Sequence, residues 1–255
     1  MSVPMDDRAL QYGDGLFETL RVERRRAPFW TFHLERLLDG CERLRLPGPA
    51  PAALWSAVCD EVPDDASYVV KLLLSAGSGP RGYARPEPVA VRVYVQAAPL
   101  AETPALRSAI WCELRCALQP RLAGLKHLNR LEQVLARMEC QDASADEGLM
   151  LDHEGRVISA TTGNLLIRCG GRWLTPRLDA CGVAGVARRW LMQSFPVSEA
   201  TLTKAEVDTA DCLVISNAVH GPRQLLRLAG RHYAADLEVT EWRRCWRQCF
   251  EADPA

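Results

Sequence analysis

Lys126 stands in the run Gly124-Leu-Lys126-His127-Leu-Asn129-Arg130-Leu-Glu132-Gln-Val-Leu135, with an imidazole, an amide and a guanidinium close behind it. A partly desolvated lysine loses its charge readily and then serves as a nucleophile or a base, whereas a lysine without special surroundings is a solvated surface side chain. A second cluster, Gly77-Ser-Gly79-Pro-Arg81-Gly82, has the G-x-G-x-x-G spacing of a dinucleotide-binding turn. Such a turn must open a helix whose N-terminal amides hold a pyrophosphate, and Tyr83-Ala-Arg-Pro86-Glu-Pro88 cannot propagate one. The cluster is read instead as a glycine-rich loop presenting Arg81, or as a plain strand connection.

The chain that must position these groups has 255 residues, 48% hydrophobic and 25% charged, enough for one large core or two smaller ones. Lys and Arg total 31 against 32 Asp and Glu, so the net charge of -1 offers no general attraction for nucleic acid or an anionic membrane. An anionic ligand needs a local site. The first residues lack the pattern of a secretory signal, and no apolar run approaches the roughly 20 residues of a membrane span, so a cytoplasmic protein is expected. Ten cysteines scattered from Cys41 to Cys249 include no C-x-x-C pair, which points to reduced thiols. The five histidines form no ligand spacing with them, and no metal is expected.

Gly15 to Val22 alternates apolar and polar, and a basic turn from Glu23 to Arg26 leads into Ala27-Pro-Phe-Trp-Thr-Phe, a pattern that predicts a hairpin. A helix is predicted next, with Leu34, Leu37, Leu38, Cys41 and Leu44 inward, Arg36 and Arg43 on the opposite face, and Pro47, Pro49 and Pro51 ending it. Tyr68 to Leu74 and Val89 to Val95 are predicted strands. The proline-containing stretch at residues 97 to 105 marks a boundary between a small N-terminal α/β domain (residues 1–100) and a larger, strand-rich C-terminal domain (residues 101–255). In the second part, Leu128, Leu131, Val134, Leu135 and Met138 mark an amphipathic helix with Asn129 as its N-cap. Gly148 to Leu151, Arg156 to Ser159, Asn164 to Arg168 and Arg172 to Leu174 are predicted as consecutive antiparallel strands, and Val186 to Met192 and Trp242 to Phe250 as helices.

The Lys126 run resembles the lysine segment of aminodeoxychorismate lyases almost residue for residue. The likeness continues through Asp7-Arg-Ala-Leu-Gln-Tyr-Gly-Asp-Gly-Leu-Phe-Glu-Thr, His33-Leu-Glu-Arg36-Leu, Ala145-Asp-Glu, Asn164-Leu, Thr175-Pro-Arg-Leu-Asp and Gly182-Val-Ala-Gly-Val-Ala-Arg188, all in family order. The wider group is the class IV aminotransferase-like family. The resemblance implies an α+β, two-domain fold of type IV, usually a homodimer, with pyridoxal 5'-phosphate in the cleft between the domains. It implies a lyase that turns 4-amino-4-deoxychorismate into 4-aminobenzoate and pyruvate for folate synthesis. The alternatives are a D-amino acid or branched-chain aminotransferase on the same fold, or a non-catalytic pyridoxal phosphate-binding protein.

By position, the resemblance makes Lys126 the amine that carries the cofactor and then acts as base. It makes Arg36, the backbone of Val186 and Ala187, and the turn at Asn217 and Ala218 the holders of the phosphate. Arg81, with Tyr83 beside it, becomes the guanidinium that meets a substrate carboxylate. Ser159 falls where the family more often has a glutamate holding the pyridine nitrogen. A serine supplies no negative charge there, which weakens the cofactor as an electron sink and disfavours transamination more than a lyase reaction driven by aromatisation of the ring. The family also commonly carries one further strand ahead of the segment that begins here at Val3.

Overall fold

The computed structural model describes residues 3–251. The chain divides into two compact units, Met1–Ala101 with Leu125–Asn129, and Glu102–Gly124 with Arg130–Ala255. Leu125–Asn129, which the sequence boundary near residue 100 assigns to the second part, thus clusters with the first.

The first unit comprises α1 (Arg8–Tyr12), β1 (Gly15–Glu23), α2 (Trp30–Arg43), α3 (Pro51–Glu61), β2 (Ser67–Ser75) and β3 (Arg92–Pro99). Its three strands form an antiparallel sheet in chain order. Alternation along β1 places Leu16, Glu18, Leu20 and Val22 on the buried face under α2, while Phe17, Thr19 and Arg21 share the other face. Gly40 lets α2 come close to the sheet, since a Cβ there would lie 2.7 Å from Leu16 Cδ1. With Val70, Leu72 and Leu74 fully buried beneath, each such side chain contributes about 1.5–3 kcal/mol.

Three expectations change here. Ala27 to Phe32 is not the second arm of a hairpin: Arg24 and Arg25 turn the chain at positive φ, and helix α2 starts at Trp30. The partner of β1 is β2, which supplies apolar pairing along the whole strand, while Trp30 is spent on Trp55 of α3 at 5.1 Å. Pro51 does not merely end a helix but opens α3 at its first position, where a missing N–H costs nothing. Arg36 does not point to solvent with Arg43, because the buried line of α2 runs through His33, Leu37, Gly40 and Cys41 and Arg36 leans back over it toward Glu18.

In the second unit follow β4 (Ala109–Cys116), α4 (Leu131–Asp142), β5 (Glu147–Asp152), β6 (Val157–Ala160), β7 (Asn164–Cys169), β8 (Arg172–Pro176), α5 (Val186–Ser194), β9 (Val197–Ala200), α6 (Lys204–Thr209), β10 (Cys212–Asn217), β11 (Gly221–Gln224), β12 (Arg227–Leu228), β13 (Arg231–His232) and α7 (Leu237–Glu251). They build two five-stranded sheets, β11-β10-β7-β8-β9 and β13-β12-β4-β5-β6. The four strands expected in a row are therefore two hairpins in different sheets, with β5 and β6 in one and β7 and β8 in the other. Their apolar faces meet in a core that includes Leu149, Leu165, Ile167, Leu213 and Ile215. On the other side of the β7-containing sheet, Trp242 and Trp246 of α7 are buried in an aromatic cluster with Trp173, Trp190 and Phe195.

Helix α4 departs from its predicted orientation. Arg130, not Asn129, is its N-cap, and its buried residues are Ala136 and Cys140. Leu131, Val134, Leu135 and Met138 are 76%, 52%, 49% and 52% exposed. The periodicity that reads as core-facing is an apolar stripe that this chain's own core does not cover.

Candidate active site

The segment around Lys126 is held by its backbone on both sides. Gly124 N–H donates to Gly182 O at 3.0 Å, and Gly124 O accepts from Ala184 N at 3.0 Å. Just beyond, Lys126 O accepts from Phe17 N at 2.9 Å and Leu128 N donates to Gly15 O at 3.1 Å, so the segment runs antiparallel beside the start of β1. Asn129, freed from a capping role, donates its side-chain amide to Gly13 O at 3.2 Å. Little freedom is left to the Lys126 Cα, and the half-buried side chain places Nζ 4.3 Å from the centroid of the Phe17 ring. Lys71 of β2 reaches the same ring, at 5.2 Å. A lysine amine held against an aromatic face, partly out of water, suits condensation with an aldehyde and later proton transfer.

Behind Phe17, on the buried face of the same strand, Glu18 organises a charged group. Arg36 Nε donates to Glu18 Oε1 at 2.8 Å and Nη2 closes a shorter bond to Oε2, while His33 Nδ1 lies 2.6 Å from Oε2. Burial pushes the Glu18 carboxyl up, but the Arg36 charge and the bond to His33 outweigh it and hold the group down at about 2. An ionised carboxylate can only accept, so the His33 proton sits on Nδ1. Burial holds the His33 imidazolium below its usual range, with the charges of Arg36 and Lys126 adding to the effect and Glu18 opposing it. Lys126 and Arg36 both lie against β1 of the first unit, through the neighbouring residues Phe17 and Glu18. Arg81 and Tyr83 lie on an exposed bend at residues 81–84 where Tyr83 meets Tyr12 edge-on at 5.5 Å.

Within the second unit, Asn164 ties the start of α5 to the end of β10, where Asn217 and Ala218 follow. Val186 and Ala187 are its first two residues and are buried, and Gly185 precedes them as an N-cap that has no side chain to satisfy the leading amides. A Cβ on Gly185 would lie 2.0 Å from Asn164 Oδ1, so only glycine lets the β7 start approach so closely. Asn164 pairs in register with Ser216 of β10, whose buried hydroxyl has no partner among the described residues. Asn217 follows, accepting from Val219 N and His220 N and donating to Thr162 O at 3.2 Å, with Ala218 half-buried in the turn. Ser159 is half-buried on β6, beside Met150. The loop after it is tied to buried Glu147, which accepts from the hydroxyls and amide of Thr161 and Thr162. Uncapped helix amides and an unpartnered buried hydroxyl in the second unit are a donor set that suits a phosphate, and the fixed lysine amine of the first unit suits an aldehyde, so each set by itself fits one part of pyridoxal phosphate.

Glu18, His33 and Glu147 were missed by the motif reading. For Glu18 a signal existed: in Leu16-Glu18-Leu20-Val22 a carboxylate occupies the apolar phase of the alternation, and a buried charge needs a partner. Nothing in the sequence says that the partner is Arg36.

Residues 15–227 match the model of the family described as amino-transferase class IV. The aminodeoxychorismate lyase of Vibrio harveyi is 32% identical over 233 residues, spanning 86% of this chain and 84% of that protein. The crystal structure of 4-amino-4-deoxychorismate lyase from Pseudomonas aeruginosa superposes with a TM-score of 0.90 at 37% identity, covering 97% of this chain and 95% of the other. At 19% identity, the PLP-bound form of a hypothetical aminotransferase from Mycobacterium tuberculosis shares the fold, with a TM-score of 0.83 over 98% and 94% of the two chains.

Proposed function

Because the chain belongs to the class IV aminotransferase family, we propose that it is a pyridoxal phosphate-dependent lyase that converts 4-amino-4-deoxychorismate into 4-aminobenzoate and pyruvate. The observation that carries the lyase reading over an aminotransferase is the likeness to two lyases over most of the chain, at 32% and 37% identity, against 26% for a putative branched-chain-amino-acid aminotransferase of Methanocaldococcus jannaschii matched over 90% of this chain.

Pyridoxal phosphate, when bound, supplies an electron sink for the substrate's reacting carbon. On this reading Lys126 Nζ carries the cofactor and, once released, takes the ring proton beside the substrate amine. The enolpyruvyl C–O bond to the ring then breaks, leaving an aromatic ring, and the released enolpyruvate takes up one proton on its methylene carbon to become pyruvate, which balances the proton taken from the ring. Arg36, oriented by Glu18, and the amides of Val186 and Ala187 hold the phosphate, with the Asn217–Ala218 turn beside them. Ser159 faces the pyridine nitrogen as a neutral group, and Arg81 with Tyr83 receives a substrate carboxylate through the planar fork of a guanidinium.

The reaction is placed in the cytoplasm for folate synthesis, a reading supported by ten free thiols, which suit a reducing compartment. The active form is a homodimer, a reading supported by the uncovered stripe on α4. The test is to supply the purified protein with 4-amino-4-deoxychorismate and follow pyruvate and 4-aminobenzoate. Release of both in equal amounts is expected. Turnover that instead requires an amino acid and a keto acid overturns the lyase reading in favour of an aminotransferase.

A further inference from the structure

One buried guanidinium closes α1 onto the loop that carries Arg81 and Tyr83. Arg8, 3% exposed, donates from Nη1 to Gly82 O at 3.2 Å and Ala84 O at 3.1 Å, and from Nη2 to Tyr83 O at 2.8 Å. Its Nε donates to Asp14 Oδ2 at 2.8 Å. Asp14 is shared with Arg85, whose Nε donates to it at 2.9 Å and whose Nη1 reaches Leu44 O. Burial pushes the Asp14 carboxyl up, but the bonds and charges of Arg85 and Arg8 prevail and hold it below its usual value. Tyr12 completes the cradle: its hydroxyl accepts from Gly82 N at 3.1 Å, its ring lies 4.9 Å from Arg8 Cζ, and Tyr83 packs on its edge.

Three consecutive carbonyls bound by one planar cation hold their peptide groups turned inward, and the adjoining side chains outward. Tyr83 is 87% exposed, and Arg81 is exposed at the head of the same bend. A loop of this length with a glycine at its centre would otherwise sample many conformations and lose that freedom on binding.

We propose that Arg8, anchored by Asp14, is a positioning residue for substrate recognition, fixing the 82–84 backbone and so the place from which Arg81 and Tyr83 meet a substrate carboxylate. This rests on the lyase reading above. A preset loop contributes to binding more than to the chemical step, so its loss appears in KM. Lysine in place of Arg8 keeps the charge but cannot bridge three carbonyls and a carboxylate in one plane.

The experiment is steady-state kinetics with 4-amino-4-deoxychorismate, and limited trypsin digestion at the Arg81–Gly82 bond, on wild type, Arg8→Lys and Tyr12→Phe. Arg8→Lys is expected to raise KM about tenfold with kcat within about twofold, and to speed cleavage at Arg81. Tyr12→Phe, which removes only the hydroxyl under Gly82, moves both in the same direction by a smaller factor and keeps the test decisive if Arg8→Lys does not fold. The inference is overturned if the folded variants keep wild-type KM and cleavage rate, or lose only melting temperature. Failure of the lyase reading is seen separately, as absence of pyruvate release by the wild-type protein, and the role assigned to Arg8 falls with it.

Discussion

Arg36 Nε donates to Glu18 Oε1 at 2.8 Å, and its Nη2 closes a second bond to the other oxygen of the same carboxylate, so a strand residue sets the plane of a helix guanidinium. Replacing Glu18 by Gln keeps the shape but removes the charge that orients the fork. If Arg36 holds the cofactor phosphate, Glu18→Gln weakens pyridoxal phosphate binding about tenfold and leaves pyridoxal, which lacks the phosphate, unaffected. Absorbance titrations with the two ligands check this; an equal loss for both would place the effect elsewhere.

Acid should lower the stability of the fold in two pH windows. The His33 folded-state value is lowered, so its contribution is complete above the ordinary 6.5 and is lost as the pH falls below that, because the unfolded chain takes up the proton first. Glu18 falls from 4.5 to about 2, so its contribution, ~3 kcal/mol in order of magnitude, is complete above 4.5 and lost as the pH drops toward 2. Urea midpoints measured from pH 7.5 downward should decline below 6.5 and more steeply below 4.5. Glu18→Gln should weaken the second decline and deepen the first, because it removes the charge that supports the proton on His33.

Borohydride reduction of the cofactor-loaded protein should leave a single adduct, on the peptide containing Lys126. Lys71 is the internal control, since both lysines approach the Phe17 ring. Lys126→Ala should abolish the adduct and lower kcat by about 10³-fold or more. Mass mapping that finds the label on Lys71 would reassign the cofactor-bearing amine.

Ser159→Glu restores a carboxylate at the position assigned to the pyridine nitrogen. The bound cofactor's absorption spectrum should shift and slow transamination of amino acids should rise, while lyase turnover gains little. A variant indistinguishable from wild type in both spectrum and transamination contradicts the placement of Ser159.

Charges introduced into the α4 stripe, as Leu131→Glu with Leu135→Glu, should leave the fold intact because both side chains are exposed within one chain. Sedimentation should show a dimer for wild type and monomers for the variant. An unchanged sedimentation coefficient would mean that another surface joins the copies.

Much of the site could be located locally. Lys126 stands out through the run Gly124 to Leu135 around it, which resembles the family's lysine segment, whereas the backbone bonds that hold it beside Gly15 and Phe17 are tertiary. The start of α5 was equally visible, since Gly185 before a helical pattern marks an N-terminus without needing a distant partner. Partnerships across the fold were hidden. Arg36 reads as solvent-facing because its helix period is defined by leucines, and only the arrival of Glu18 from β1 turns it inward. Arg8 gave no signal either, since the carbonyls it binds lie more than seventy residues away.

By itself the sequence determined the family, the phase of β1 and the glycine at the start of α5 where backbones approach, and it singled out Lys126 as the candidate amine. The tertiary structure alone decided which charges pair, that Ala27 to Phe32 joins a helix, that the α4 stripe lies outside its own core, and that Arg8 grips a loop. Local periodicity records how polar each face of an element is. What covers that face depends on strand register and helix docking, which are settled only when the whole chain competes for its partners.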